Sequence, residues 1–350
     1  MSTPLDIDSE YLKTFLLGLL DTPSPTGFAE KAVALVEAEL AQYPVALRRT
    51  AKGALVAEWE GASASAPRAV TGHVDTLGAM VKEIQRNGRL RLSKLGGFAW
   101  NTVEGEGVTV FNADGRPMRG SLLFEHASGH VWGQEVNEGK RADDSMEVRL
   151  DEEVRSNFDV ERLGYGVGDF VAFDPRVEIG SAGFIRSRHL DDKAGVACMV
   201  AALRAMTAAG ISPAQRTTLH FSHYEEVGHG GASGFPADIV ELLTVDMAAI
   251  GDGQTSDEFS VTICVKDTGG PYHIDMRRKL VAQAEAADIP YRIDIYPYYG
   301  SDGEAYWRAG GDVRVGLIGP GVDASHNYER THMRSLVATA QLIAEYLRAE

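Results

Sequence analysis

Between Ser181 and the C-terminus, strand-like and helix-like patterns alternate in a way that few folds accommodate. Apolar runs at Thr217–Tyr224, Leu242–Asp246, Phe259–Val265, Tyr291–Tyr296 and Val313–Ile318 read as strands. Apolar residues at helical spacing predict helices over Asp192–Ala208, Tyr272–Ala287, Asp302–Ala309 and Tyr328–Arg348. In the first of these, Val196, Met199, Val200, Leu203 and Met206 share one face, and Gly210 supplies a stop. Strands alternating with helices imply an α/β domain, its mostly parallel sheet flanked by helices on both faces. The N-terminal stretch fits the same domain, with helices at Leu12–Leu19 and Ala29–Tyr43 and strands at Ala54–Trp59 and Arg68–Asp75. Gly61–Pro67 reads as a short loop between those strands.

From Leu77 to Ser181 the long helical patterns stop and short alternating runs take over. Val108–Phe111 and Ser121–Phe124 flank Asp114-Gly115, a hairpin turn signal. Gly168–Pro175 looks like another strand with a hard stop, and the acid-rich Asp143–Glu153 reads as a solvated face. The expected organisation is therefore an α/β domain in two parts, residues 1–76 and 182–350, interrupted by a β-rich insertion over 77–181.

Composition narrows the function classes. The 350 residues carry 34 basic and 50 acidic side chains, a net charge of −16. Such acidity argues against a nucleic-acid partner, which would need basic patches. Two cysteines rule out a disulfide scaffold. Met1–Asp8 lacks the layout of a signal peptide, and no apolar run reaches the roughly 18 residues of a membrane span. A cytoplasmic location without membrane association is expected.

In open α/β sheets, ligand sites gather where strands end. Five clusters occupy such positions: Gly72–Thr76, with His73 and Asp75 on one side of an extended strand; Leu190–Gly195, with paired acids Asp191 and Asp192; Tyr224–Gly228, with paired glutamates; Asp246; and Ser325–His332. Asp191-Asp192 reads either as a helix cap or as more acid than a cap needs. Adjacent glutamates repel, which a bound cation would resolve. Either His326 or His332 could ligate, whereas His220 and His223 read as ordinary polar-face or core histidines. Two histidines, three carboxylates from separate strand ends and one spare glutamate make a two-metal hydrolase set.

Gly72–Thr76, Leu190–Gly195, Glu225–Gly228, Asp246 and His326, in this order, resemble metallopeptidase family forty-two, the TET, glutamyl and deblocking aminopeptidases. Arg188–Val196 and Gly321–His326, with Tyr328–His332, are similar to one subgroup, a peptidase-like hydrolase linked to an osmoprotectant dipeptide. The resemblance implies an aminopeptidase that cleaves N-terminal residues from short peptides, using two divalent metal ions, zinc or else cobalt or manganese. His73, Asp191 and Asp246 would hold one ion; Asp191, Glu226 and His326 would hold the other, with Asp191 bridging. Glu225 would be the general base acting on a bridging water, and Asp75 the partner of His73. The insertion would be a dimerisation domain, and the chain a homo-oligomer, a dimer or a tetrahedral dodecamer. His229-Gly230-Gly231 and Asn327-Tyr328 depart from the Arg-Gly and Ser-Pro common in that family, which leaves the peptide preference open. Two alternatives stand beside this: a metal-dependent deacylase of a small N-blocked dipeptide, and an acidic binding protein on a retained scaffold.

Overall fold

The computed structural model describes residues 4–350. Its central strand, Ser63–His73, lies parallel between Gln215–Ser222 and Glu241–Val245, and Glu241–Val245 lies parallel to Arg314–Asp323. The register sets Gly72 opposite Phe221, His73 opposite Ser222, and Val245 opposite Ile318. Three strands thus end at one edge of the sheet, and Arg314–Asp323 runs on past it. Antiparallel strands extend it: Leu55–Trp59 and Val45–Arg49 beyond Gln215–Ser222, and Glu329–His332, Phe184–Ser187 and Glu178–Ile179 beyond Arg314–Asp323. The expected parallel sheet is therefore the centre of a mixed one.

Alternation along the strands gives the sheet two apolar faces. Val70, Leu243 and Val245 pack with the helices Ser9–Leu20, Leu190–Ala208 and Met333–Arg348. Their neighbours Ala69 and Leu242 pack on the other face, against Tyr306 and Trp307 of the helix Asp302–Arg308. The helix Leu190–Ala208 is buried over nearly its whole length, which fits its alanine-rich composition. Among the described residues no helix is long and apolar enough to cross a membrane.

The insertion is a closed six-stranded antiparallel barrel, beginning with Gly78–Ile84 and ending with Phe170–Phe173. It has its own core, in which Leu92, Val108, Val110, Leu122 and Val148 are fully buried. Val108–Phe111 and Ser121–Phe124 lie in adjacent strands, joined through the Asp114-Gly115 turn.

Three local readings change. Tyr328–Arg348 is not all helix: Glu329–His332 is a strand that pairs antiparallel with Phe184–Ser187, and the helix starts at Met333. Ser63–Pro67 is strand rather than loop, because Ser63 pairs with Gln215 and the Gln215 side chain accepts from the Ala66 amide. Within Asp143–Glu153, Glu147 is buried rather than solvated, held by Arg89 and by Gln85 at 3.1 Å.

Candidate metal centre

The strand-end edge gathers the acidic and imidazole groups. His73 closes its strand, Glu225 and Glu226 sit in a 3-10 turn just after Gln215–Ser222, and Asp246 follows Glu241–Val245 directly. Asp191 opens the central helix, and His326 lies in the loop after Arg314–Asp323. That long strand passes close to Asp246 because Gly319 has no side chain; a Cβ there would meet the Asp246 carbonyl oxygen at 1.5 Å.

Asp191 lies between the two imidazoles. Its Oδ1 is 3.2 Å from His73 Nε2, and its Oδ2 is 3.3 Å from His326 Nε2. Around His73 Nε2 stand Glu225 at 3.7 Å and Asp246 at 4.0 Å; beside His326 Nε2 stands Glu226 at 3.7 Å. Both rings are oriented through Nδ1 by a backbone carbonyl: His73 donates to Asp75 at 2.9 Å, and His326 donates to Gly97 of the barrel. Each Nε2 is then aimed at the cluster, where a cation that displaced its proton would find a lone pair.

The expected role of the Asp75 carboxylate changes accordingly. It stays 3.8 Å from His73 Nδ1, because the Asp75 carbonyl takes that bond. The carboxylate instead accepts from the Glu225 amide at 3.2 Å and from the Thr26 hydroxyl at 2.7 Å. His332 lies outside the cluster, bonded to the Ala182 carbonyl and capping the last helix at Arg334. His220 bonds Thr71, and His223 accepts from the Gly27 amide, so neither enters the site.

Several contributors are given no role by the sequence. Asp192 is fully buried, its two carboxylate oxygens have no hydrogen-bond partner, and it groups with His73 and Asp246, donor atoms within 4.8 Å of one another. Neither Asp191 nor Asp192 caps the helix with its side chain. The surplus of acid over a cap's needs is the one sequence signal Asp192 carries. Glu329 accepts from the Asp191 amide at 3.2 Å and from the His326 amide at 3.1 Å. Ser325 donates to Asp191 at 3.1 Å. Gly97 reaches His326 through a loop in which Gly96 has φ +85° and would strike Leu77 at 2.4 Å if it carried a Cβ.

Charge at this site does not close with the protein's own groups. Among the described residues no lysine or arginine pairs with Asp191, Asp192, Glu225, Glu226, Asp246 or Glu329; nearby Lys193 donates to the Thr22 carbonyl. Burial, and then neighbouring carboxylates, hold the Glu225 and Asp246 carboxyls well above the usual range, and Glu226 up to about 8. Burial opposes a charge on His73, but Glu225, Asp191 and Asp246 outweigh it and keep the ring basic. His326 is likewise pushed up to about 10 against its burial, by Asp191 and Glu226. Burial alone would raise the Asp191 carboxyl, but the bonds from His326 and His73 depress it. Protons thus stand where positive charge is required. Oxygen and imidazole donors in this number fit divalent cations of the zinc, cobalt and manganese type.

This predicts a pH dependence for the cation-free chain. Burial first, and the Asp191 charge second, hold Glu226 and Glu329 up to about 8, from an ordinary 4.5. Through these two carboxyls the folded state binds more protons than the unfolded one, so their contribution to stability falls as pH rises from about 4.5 through 8; below 6.5 it is offset by His189 and His220, which burial lowers from 6.5 to about 3. His326, raised from 6.5 to about 10, adds to the loss above 6.5. Lys193, lowered from 10.5 to about 7 by burial, opposes it only above 7. Chelator-treated protein should melt about 5 °C lower at pH 8 than at pH 6.5 in a circular-dichroism melt, and Glu226→Gln should flatten that slope.

The chain matches the model of the M42 glutamyl aminopeptidase family over residues 53–342. "Putative aminopeptidase YhfE" of Bacillus subtilis (strain 168) is 48% identical over 331 residues, 95% of either chain. The TET aminopeptidase from the marine sediment archaeon Thaumarchaeota archaeon SCGC AB-539-E09 shares the fold with a TM-score of 0.87 at 18% identity, over 96% of both chains. So does the Pyrococcus horikoshii TET1 peptidase, which can assemble into a tetrahedron or a large octahedral shell: TM-score 0.85, 20% identity, 97% of this chain and 100% of that one. The strand-end cluster, the inserted barrel and a family match over most of the sequence lead to one conclusion: this chain belongs to the M42 glutamyl aminopeptidase family of peptide-bond hydrolases.

Proposed function

We propose that the chain is a dinuclear metal-dependent aminopeptidase that removes N-terminal residues from short peptides. The observation that carries this reading is Asp191, with one carboxylate oxygen toward each of two imidazoles. His73, Asp191 and Asp246 would hold one cation, and Asp191, Glu226 and His326 the other. Two divalent cations there supply Lewis acidity, which lowers the pKa of a water and polarises the scissile carbonyl.

Glu225 is the general base. Its carboxylate faces the cluster 3.7 Å from His73, and its backbone is tied to Asp75. It takes the proton of the attacking water and later gives it to the leaving amine. Asp75 acts through Glu225 and is a positioning residue; Thr26 fixes its second oxygen. The excess of carboxylates suits a substrate that brings a positively charged α-amine. The assemblies of the TET1 peptidase support a homo-oligomer here too; the barrel would be its dimerisation surface.

The test compares aminoacyl anilides and dipeptides with their N-acetylated forms, with and without chelator. Free-amine substrates should turn over, chelation should abolish turnover, and zinc, cobalt or manganese should restore it. Comparable hydrolysis of N-acetyl dipeptides would favour a deacylase instead.

A further inference from the structure

Beyond the acidic cluster the site opens into a cleft of about 530 Å³ with an outer wall. That wall is formed by Met247, Ala249, Tyr298 and Tyr299. Tyr299 is fixed: its hydroxyl donates to the Met247 carbonyl at 2.7 Å, and its ring lies 4.9 Å from that of Tyr296. Tyr298 is 96% exposed and offers an open aromatic face at the rim. Among the described residues no lysine or arginine lines the cleft. The basic side chains on the framing segments are spent elsewhere. Arg188 is buried against Glu106, Lys193 donates to Thr22, Lys94 donates to Phe98, and Lys52 donates to His229.

Resting on the aminopeptidase reading, we propose that this cleft selects an apolar or aromatic N-terminal residue and rejects glutamyl and aspartyl ones, although the family is described by glutamyl cleavage. With the scissile carbonyl at the cluster, the side chain of the first residue must occupy the space walled by the methionine and tyrosines. An apolar or aromatic side chain gains contact there. A carboxylate would be desolvated with no counter-charge, next to Asp191, Glu225, Glu226 and Asp246.

The experiment measures kcat/KM of the full chain, loaded with zinc, cobalt or manganese, on leucyl, phenylalanyl, methionyl, lysyl and glutamyl anilides. The expected result is that leucyl, phenylalanyl or methionyl substrates exceed the glutamyl one by about 100-fold or more. Tyr298→Arg places a cation at the exposed rim, where folding tolerates it, and should raise the glutamyl-to-phenylalanyl ratio at least about tenfold. A glutamyl or lysyl substrate within tenfold of the best apolar one overturns the inference and leaves the aminopeptidase reading intact. An unchanged ratio in Tyr298→Arg also overturns it. No turnover of any aminoacyl anilide with any of the three cations would instead sink the aminopeptidase reading itself.

Discussion

Glu225→Gln should keep its cations and its fold while kcat falls by about 10³-fold, with KM nearly unchanged. The amide fills the same volume and leaves the backbone bond to Asp75 in place. It cannot take a proton from water, so only the chemical step suffers. Two further facts favour a specific effect. Glu225 is not among the groups proposed as ligands, and its chain neighbour Glu226 faces His326 at 3.7 Å. Native turnover in Glu225→Gln would assign the base elsewhere. Loss of metal together with turnover would make Glu225 a ligand.

Asp191→Ala should have the larger effect on metal content. It removes the one group among the described residues that pairs with both imidazoles, at 3.2 Å and 3.3 Å. Both cations should be lost at micromolar concentrations, and turnover should drop by about 10⁴-fold or more, as expected when a site loses its activating ions. The fold should survive, because the side chain caps no helix and its partners, His73, His326 and Ser325, belong to the site itself. The ionised Asp191 carboxylate is held below its usual range by both imidazoles, so the chelator-treated variant loses those two pairs and should melt lower than chelator-treated native protein while still unfolding cooperatively. Calorimetry and metal analysis on the same sample check both halves. If Asp191→Ala retains two cations, the bridging assignment is wrong.

Much of this site was legible because its groups lie at chain positions where strands stop. His73, Asp246 and the Glu225–Glu226 pair each lie at or just beyond the end of an apolar run, and a parallel sheet brings such ends together. The contributions of Gly97, Thr26 and Glu329 were not legible. Gly97 belongs to the barrel, 229 residues from the histidine it orients, and no local pattern encodes that approach. Thr26 reaches Asp75 across 49 residues. Glu329 was hidden by a misplaced helix start, since a short strand before a helix blurs both periodicities. Asp75 was legible as a site residue but not in its role, because the choice between its carbonyl and its carboxylate depends on the turn that follows His73.

The central claim is that this acidic cluster binds two cations that the chemistry requires. It is tested most directly by counting divalent metal per chain in purified protein, by plasma mass spectrometry, while titrating zinc, cobalt or manganese back into the chelated enzyme and following aminoacyl-anilide hydrolysis. The account predicts no turnover without metal, and full turnover as occupancy reaches about two per chain. Full turnover in a chain that holds one cation or none would contradict it.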